Sequence, residues 1–150
     1  MNFVGLDGIL VQFSDEIREN ANSAALAFRH EVEQKNQSSI IESANSLTAA
    51  YFRIDTKIER LDTILNFFNE ILREKNWYTS KLPIDRKLFK IPCVFGTELA
   101  PHFEKVIKLA GISRSKAILE FTTTRTRVMT IGFSPGQPYA GLLSKKWDLP

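Results

Sequence analysis

The chain has 150 residues, the length of one average domain or of two small ones, and 43% of them are hydrophobic, which excludes wholesale disorder. No apolar run approaches the ~20 residues of a membrane helix, and the first residues lack the basic start and cleavage site of a signal peptide. A single cysteine, Cys93, excludes an internal disulfide and fits a reducing compartment. We therefore expect a cytoplasmic protein without a membrane partner.

Charge is distributed unevenly along the chain. Residues 1–80 carry 12 acidic and 8 basic side chains, whereas residues 81–150 carry 5 acidic and 12 basic ones. The asymmetry indicates two units. The basic second unit either meets an anion or has an ordinary solvated surface.

The first half alternates strand and helix patterns. Residues 9–14 alternate as a half-buried strand does. Apolar residues from Ile17 to Val32 then recur every three or four positions, which predicts a helix. Two short strands, 39–44 and 47–54, follow around a turn at Asn45-Ser46.

A second helix closes this half. Thr56 and Glu59 have capping-box spacing, and the predicted buried stripe is Ile58, Leu61, Leu65, Phe68 and Leu72. The strand–helix–strand–strand–helix order predicts an α+β domain with an antiparallel sheet over residues 1–87.

The second domain is predicted over residues 88–150. Residues 88–95 form an apolar run that predicts a buried strand, with Cys93 as an inert buried thiol. Pro101 and Gly111 suit the start and the end of a helix, and Ser113 can cap a second short one. Residues 127–133 predict a further strand, which is followed by a loop rich in proline and glycine.

That loop contains Gly132-Phe133-Ser134-Pro135-Gly136, which fits the G-x-S-x-G pattern of a serine hydrolase elbow. In such an elbow the residue after the serine donates its backbone N–H to the oxyanion. Pro135 has no N–H to give, and no histidine follows Ser134 to complete the usual order of the triad. We therefore reject a nucleophilic serine and assign no catalytic residue.

The same residues fit a rigid turn better. Pro135-Gly136 suit the central positions of a type II turn, in which proline fixes φ and glycine accepts a positive φ. Such a turn exposes backbone amides that can bind a carboxylate or phosphate; a plain tight turn is the alternative. Arg127, on the preceding strand, either pairs with a substrate carboxylate or protects a strand edge. The candidate ligand-binding residues are Arg127, Gly132, Phe133, Ser134, Pro135, Gly136 and Tyr139.

Other chemistry has little support in the sequence. His30, His102 and Cys93 are too few soft ligands for a zinc site, so we predict no metal. Basic residues interleaved with aromatic ones occur only at Lys-Lys-Trp, residues 145–147, so we predict no nucleic-acid partner.

The stretch IGFSPGQPYAGL, residues 131–142, resembles the signature GF-(S/T)-PGF-x-YLGGL of the allophanate hydrolase subunit 1 family. That family includes the B component of 5-oxoprolinase (PxpB) and the kinase inhibitor KipI. Looser similarity extends towards the N-terminus of the chain. The chain as a whole resembles the N-terminal part of the sequences of this family. Phe121, Thr126 and His102 stand where the family usually has His, Tyr and Asp. A role carried by those missing side chains is therefore not transferred to this chain.

The resemblance implies a ferredoxin-like N-terminal domain followed by the beginning of a cyclophilin-like β-barrel domain. It also implies a subunit of an ATP-dependent amide or lactam hydrolase complex, of the 5-oxoprolinase or allophanate hydrolase type, rather than an enzyme by itself. The implied partners are a second carboxyltransferase-like subunit and an amidase subunit, with ATP bound at the level of the complex. The alternative is a non-catalytic regulatory protein such as a histidine-kinase inhibitor. Because residues 88–150 offer few strands for a barrel, we expect an open sheet edge and self-association through it.

Overall fold

The computed structural model describes residues 1–82, 84, 86–132 and 134–149. The chain divides into two compact units. The first consists of Met1–Ile84 with Met129–Tyr139, and the second of Asp85–Val128 with Ala140–Pro150. The described residues of the first unit contain most of the buried apolar side chains.

An antiparallel sheet organises the first unit. Its strands are β1 (Asn2–Val4), β2 (Gly8–Gln12), β3 (Ile40–Ser46) and β4 (Ala49–Ile54), in the spatial order β1-β2-β4-β3. Helix α1 (Glu19–Gln34) connects β2 to β3, and β4 lies between those two strands. Helix α2 (Leu61–Arg73) and a 3₁₀ turn (Trp77–Thr79) follow β4. The prediction of a mixed fold with helices and an antiparallel sheet is confirmed.

The core of this unit lies between the sheet and the two helices. The register pairs Ile9 with Phe52, so that both side chains lie on one face of the sheet, and both are buried. Phe28 of α1 contacts this face and α2, with ring centroids 6.0 Å from Phe52 and 6.2 Å from Phe68. Trp77 meets Phe28 edge-on at 5.2 Å. Such tilted and edge-on ring pairs stabilise beyond the burial of their area.

The buried face of α2 differs from the predicted stripe. Its fully buried residues are Ile64, Phe68 and Ile71, whereas Leu61, Leu65 and Leu72 are half-buried. Ile58 is 55% exposed and lies before the helix, so its predicted burial is wrong. The cause is a turn at Asp55, whose carbonyl oxygen accepts the Ile58 amide and whose carboxylate accepts the Lys57 amide. The helix therefore begins at Leu61 and the predicted capping box does not form.

The predicted strand at residues 88–95 is also wrong. The segment forms no strand. Leu88, Phe89, Ile91 and Val94 are exposed, whereas Phe95 is half-buried against the Phe103 cluster. Cys93 is exposed as well, so the prediction of a buried thiol fails with it. A strand needs a neighbour to satisfy its N–H and C=O groups, and no described strand pairs with this segment.

Two short helices make up the centre of the second unit. They are α3 (Phe103–Leu109) and α4 (Arg114–Thr123), close to where the sequence predicts them. Gly111 has φ +64° after α3, and the Ser113 hydroxyl caps α4 by accepting the Lys116 amide. Phe103, Ile107 and Ala117 form a small buried cluster between the helices. No helix of the described residues is long and apolar enough to cross a membrane.

Glu120 of α4 joins the basic end of the chain to this cluster. Its carboxylate pairs with the Lys146 ammonium and accepts the Trp147 indole N–H at 3.0 Å. The hydrogen bond from Lys146, followed by that from Trp147, lowers the pKa of Glu120 below its ordinary value. Lys146 and Trp147 therefore have an intramolecular partner.

Candidate functional site

The candidate site lies on a hairpin. Its strands are β5 (Arg127–Ile131) and β6 (Pro138–Gly141), which pair with each other. Met129 of β5 is buried in the first unit, whereas its neighbour Ile131 is 64% exposed. The predicted strand is confirmed over 127–131.

The connection between the strands is a tight turn built on proline and glycine. The Gln137 amide donates to the Ser134 carbonyl oxygen at 3.0 Å, which closes a four-residue turn with Pro135 and Gly136 at its centre. Gly136 has φ +76°, as the third position of a type II turn requires. The Gly132 amide donates to the Gln137 carbonyl oxygen at 3.1 Å and fixes the base of the turn. The predicted turn is therefore confirmed.

Glycine at position 136 is required by its backbone angle rather than by crowding. A Cβ atom there would have no heavy atom within 4 Å, so a side chain has room but meets strain at a positive φ. Ser134, Pro135 and Gly136 are all exposed. Neither the Ser134 amide nor the Gly136 amide donates a hydrogen bond to another described residue. These two N–H groups can therefore bind an oxygen of an anionic group.

The remaining predicted site residues are less closely tied to the turn. Tyr139 is the second residue of β6 and is 41% exposed. Arg127 begins β5, is half-buried, and belongs to the second unit. Phe133 lies outside the described residues. The structure thus confirms the turn, whereas its role as a binding site and the cleft around it remain predictions.

The second unit contains the three positions at which the family that the sequence resembles usually has His, Tyr and Asp, here Phe121, Thr126 and His102. Phe121 stacks in the apolar cluster of the second unit, with ring centroids 4.5 Å from Trp147 and 6.0 Å from Phe95. His102 and Thr126 are exposed. Among the described residues, no three His, Cys, Asp or Glu side chains come together as metal ligands would.

A cavity of about 360 Å³ lies elsewhere in the first unit, between the end of α1 and the start of β3. Its lining includes Val32, Asn36 and Ile40 but none of the candidate residues. The two acidic side chains in its wall, Glu33 and Glu42, already pair with Arg29 and Arg53. We therefore keep the turn as the candidate site.

Sequence reasoning missed the residues that hold the hairpin to the first unit. Asn22 of α1 is fully buried, and its side-chain amide donates to the carbonyl oxygen of Met129 at 2.8 Å. The Thr130 hydroxyl donates to the Asn45 carbonyl oxygen at 3.2 Å. The signal that the sequence offered is an asparagine among small residues of the predicted helix, Ala21, Ser23, Ala24 and Ala25.

The comparison with known families gives the class of protein, which is of the carboxyltransferase type. The family model of the carboxyltransferase domain, subdomain C and D, matches residues 1–150, and the chain belongs to this family. It is 25% identical over 154 residues to the B component of 5-oxoprolinase from Bacillus subtilis (strain 168), a match that covers 98% of this chain and 64% of that protein. The predicted family resemblance is confirmed.

Solved structures agree at the level of the fold. One crystal form of TTHA0988 has a TM-score of 0.71 and 18% identity over 97% of this chain. A second form has a TM-score of 0.68 over 93% of this chain. In both comparisons the match covers 26% of TTHA0988. This chain therefore spans less than two thirds of the length of the relatives that it matches.

Proposed function

We propose that this chain is part of a subunit of a 5-oxoprolinase-type complex, which hydrolyses an amide or lactam bond with ATP. The observation that carries the proposal is the similarity to the B component of 5-oxoprolinase along 98% of the chain. The protein acts with a second carboxyltransferase-like subunit and an amidase subunit rather than as an enzyme by itself. ATP binds at the level of the complex, and the single cysteine supports a cytoplasmic site of action.

The signature turn is proposed to bind the anionic group of a substrate or intermediate. The exposed position of the turn supports this role, as do the amides of Ser134 and Gly136, which donate to no other described residue. Backbone N–H groups that converge at a turn bind carboxylates and phosphates without a charged side chain. The ligand-binding residues are then Gly132, Ser134, Pro135 and Gly136, with Tyr139 at the rim. Arg127 and Phe133 remain predictions from the sequence.

Two fold-level assignments belong to the same proposal. Residues 1–87 form a ferredoxin-like domain, an assignment supported by the crossover of α1 with β4 between β2 and β3. Residues 88–150 form part of a cyclophilin-like barrel. In this proposal the exposed apolar segment 88–94, which forms no strand by itself, leaves an edge of the barrel open, where another strand pairs or the chain self-associates.

A second candidate function is regulatory binding without catalysis, as in a histidine-kinase inhibitor. Phe121 favours it, because this residue stands where the family usually has a histidine and is packed against Trp147 and Phe95. Purification of the native complex discriminates between the two. An amidase and a carboxyltransferase-like partner support the hydrolase, whereas a sensor kinase supports the regulator.

The turn is tested by Gly136→Val in a reconstituted complex. A β-branched residue resists φ +76°, so we expect 5-oxoproline-dependent ATP hydrolysis to fall about tenfold or more. Gly111→Val is the matched control, because Gly111 also has a positive φ and open space around its Cβ position. Equal activity of the two variants would remove the turn from the site.

Ser134→Ala tests the absence of a nucleophile. The turn uses the Ser134 carbonyl oxygen and not its hydroxyl, so activity should stay within about threefold of the wild type. Complete loss of ATP-dependent hydrolysis would contradict this assignment and restore the serine as a catalytic residue.

The open edge is tested by size-exclusion chromatography and binding of a hydrophobic dye. Phe89→Ser with Ile91→Ser should reduce both self-association and dye binding, because these side chains are 74% and 77% exposed. Leu109→Ser, at a 52% exposed position on α3, is the control. A monomeric, dye-negative wild-type chain would contradict the open edge.

A further inference from the structure

Asn22 is one of two polar residues that are buried in helix α1, the other being Ser23. It is fully buried in α1, between Ala21 and the buried Ala24 and Ala25. A buried side-chain amide is costly unless its hydrogen-bonding groups find partners. Asn22 meets that requirement through its Nδ2 atom, which donates to the carbonyl oxygens of Leu47 at 2.6 Å and of Met129 at 2.8 Å.

The two acceptors come from distant parts of the chain. Leu47 belongs to the turn between β3 and β4, 25 residues away, and Met129 belongs to β5, 107 residues away. One amide group therefore ties the hairpin to both α1 and the sheet of the first unit. An apolar side chain of the same size would fill the space but could not hold either carbonyl.

The hydrogen bond from Asn22 to Met129 lies close in sequence to the signature turn. Only Thr130 and Ile131 separate Met129 from Gly132, whose amide fixes the base of the turn. Thr130 adds a second link through its bond to the Asn45 carbonyl oxygen. Met129 and Gly132 are therefore held at the two ends of a segment of four residues.

We infer that Asn22 is a positioning residue for the signature turn: its buried amide holds β5 in place and thereby fixes the direction and rigidity of the turn. The inference rests on the proposed function for its biological meaning, since the turn is the proposed binding loop. It concerns the conformation of the free chain, however, and is tested without a ligand.

The test compares Asn22→Leu with the wild type in the 150-residue chain. NMR relaxation of the backbone amides gives order parameters for Ser134, Gly136 and Gln137, and chemical denaturation gives the overall stability. We expect the order parameters to fall from about 0.85, typical of a rigid backbone, to below about 0.6 in the variant. Residues of β2 and β4 should keep their rigid values.

Asn22→Asp separates positioning from packing. An ionised carboxylate at this position cannot donate to Met129 or Leu47, whereas a protonated one donates a single hydrogen bond. Burial raises the pKa of the introduced carboxyl group. The turn should therefore become more rigid as the pH falls through that pKa, and a side chain that acts by packing alone would not produce this change.

Thr130→Val keeps the inference testable if the Asn22 variants do not fold. It removes the second link, so the turn should loosen in the same direction and to a smaller extent. Thr122→Val is the matched control, since the Thr122 hydroxyl donates to carbonyl oxygens within α4.

The inference would be overturned if the turn stayed as rigid in the folded variants as in the wild type, even with a lower overall stability. A turn that loosens without loss of activity would support the role of Asn22 and contradict the proposed function.

Discussion

The two units bury their apolar residues to different extents. In the first, a sheet and two helices enclose the rings of Phe28, Phe52 and Phe68, which are fully buried. In the second, α3 and α4 enclose a small cluster around Phe103, while Phe89 and Ile91 remain exposed. Both units have strongly apolar sequences. The difference shows that apolar content gives a core only where a partner surface is present.

Backbone hydrogen bonding accounts for the contrast. Each strand of the first unit's sheet has a neighbour that satisfies its N–H and C=O groups, and the pairing fixes which side chains face the helices. Residues 86–95 have no such neighbour among the described strands. Without a strand partner, their backbone groups are best satisfied at the surface, where water is accessible.

Removing a ring from each core should reveal the largest difference. Phe68→Ala is expected to lower the free energy of unfolding of the first unit by about 3–5 kcal/mol, because Phe68 is fully buried and contacts other rings. Phe103→Ala, at a 9% exposed position in the smaller cluster, should cost the second unit less. Trp77 and Trp147 report the two units separately by fluorescence when the other tryptophan is replaced by phenylalanine. Equal losses would contradict the comparison.

A second pair of substitutions tests which face of α2 belongs to the core. Ile64→Ala should cost about 2–5 kcal/mol, as expected for a fully buried aliphatic side chain. Leu65→Ala should cost less, because Leu65 is only half-buried. Urea denaturation of the two variants measures the difference. A larger effect at Leu65 would favour the stripe that the sequence predicts.

Gly96 provides a test inside the second unit. It has φ +69°, and a Cβ atom would lie 1.7 Å from the Arg114 guanidinium, which donates to the Gly96 carbonyl oxygen. Gly96→Ala should therefore combine the strain of a positive φ, about 1–3 kcal/mol, with displacement of Arg114. Gly111→Ala has the strain alone, since no heavy atom lies within 4 Å of its Cβ position. Thermal unfolding, followed by Trp147 fluorescence, should show a lower unfolding temperature for Gly96→Ala than for Gly111→Ala.

The smallest expected effect is the pH dependence that Glu120 gives to the second unit. Its pKa is lowered in the folded chain, so the carboxylate stabilises the unit fully above its unfolded pKa of about 4.3. That contribution should disappear as the pH falls through the lower, folded pKa. Glu120→Gln should remove this part of the pH dependence of the second unit's stability, as followed by Trp147 fluorescence. The pH dependence of the first unit's stability, followed by Trp77 fluorescence, should stay unchanged. An unaltered profile at Trp147 would contradict the role of the pair with Lys146.

Local sequence signals predicted the features that depend on neighbouring residues. The turn at Pro135-Gly136 and the cap at Ser113 are set by the backbone preferences of a few residues, and both were predicted. The buried face of α2 was not predicted, because seven of its thirteen residues are apolar and tertiary packing selects among them. The strand at 88–95 failed since its formation depends on a partner distant in sequence.

The candidate site also has a part that the local sequence predicts and a part that depends on a contact distant in sequence. Its turn could be predicted from Gly132 to Gly136, whereas its anchor could not. Asn22 lies 107 residues before Met129, and nothing in the local sequence of α1 indicates a hydrogen bond to a strand so far along the chain. Buried polar residues on apolar helix faces are the signal to look for, because each of them needs a partner.

The link between Asn22 and Met129 also has a consequence for synthesis on the ribosome. Strand β4 and helix α2 emerge early, but the carbonyl that accepts the Asn22 amide follows only after residues 85–128. At about 5–20 residues per second, that delay is roughly 2 to 9 seconds. During this interval the Asn22 amide can reach the Leu47 carbonyl but lacks its Met129 acceptor, and the N-terminal part of α1 has no strand β5 against it. The last step in assembly of the first unit is therefore timed by the translation of the second.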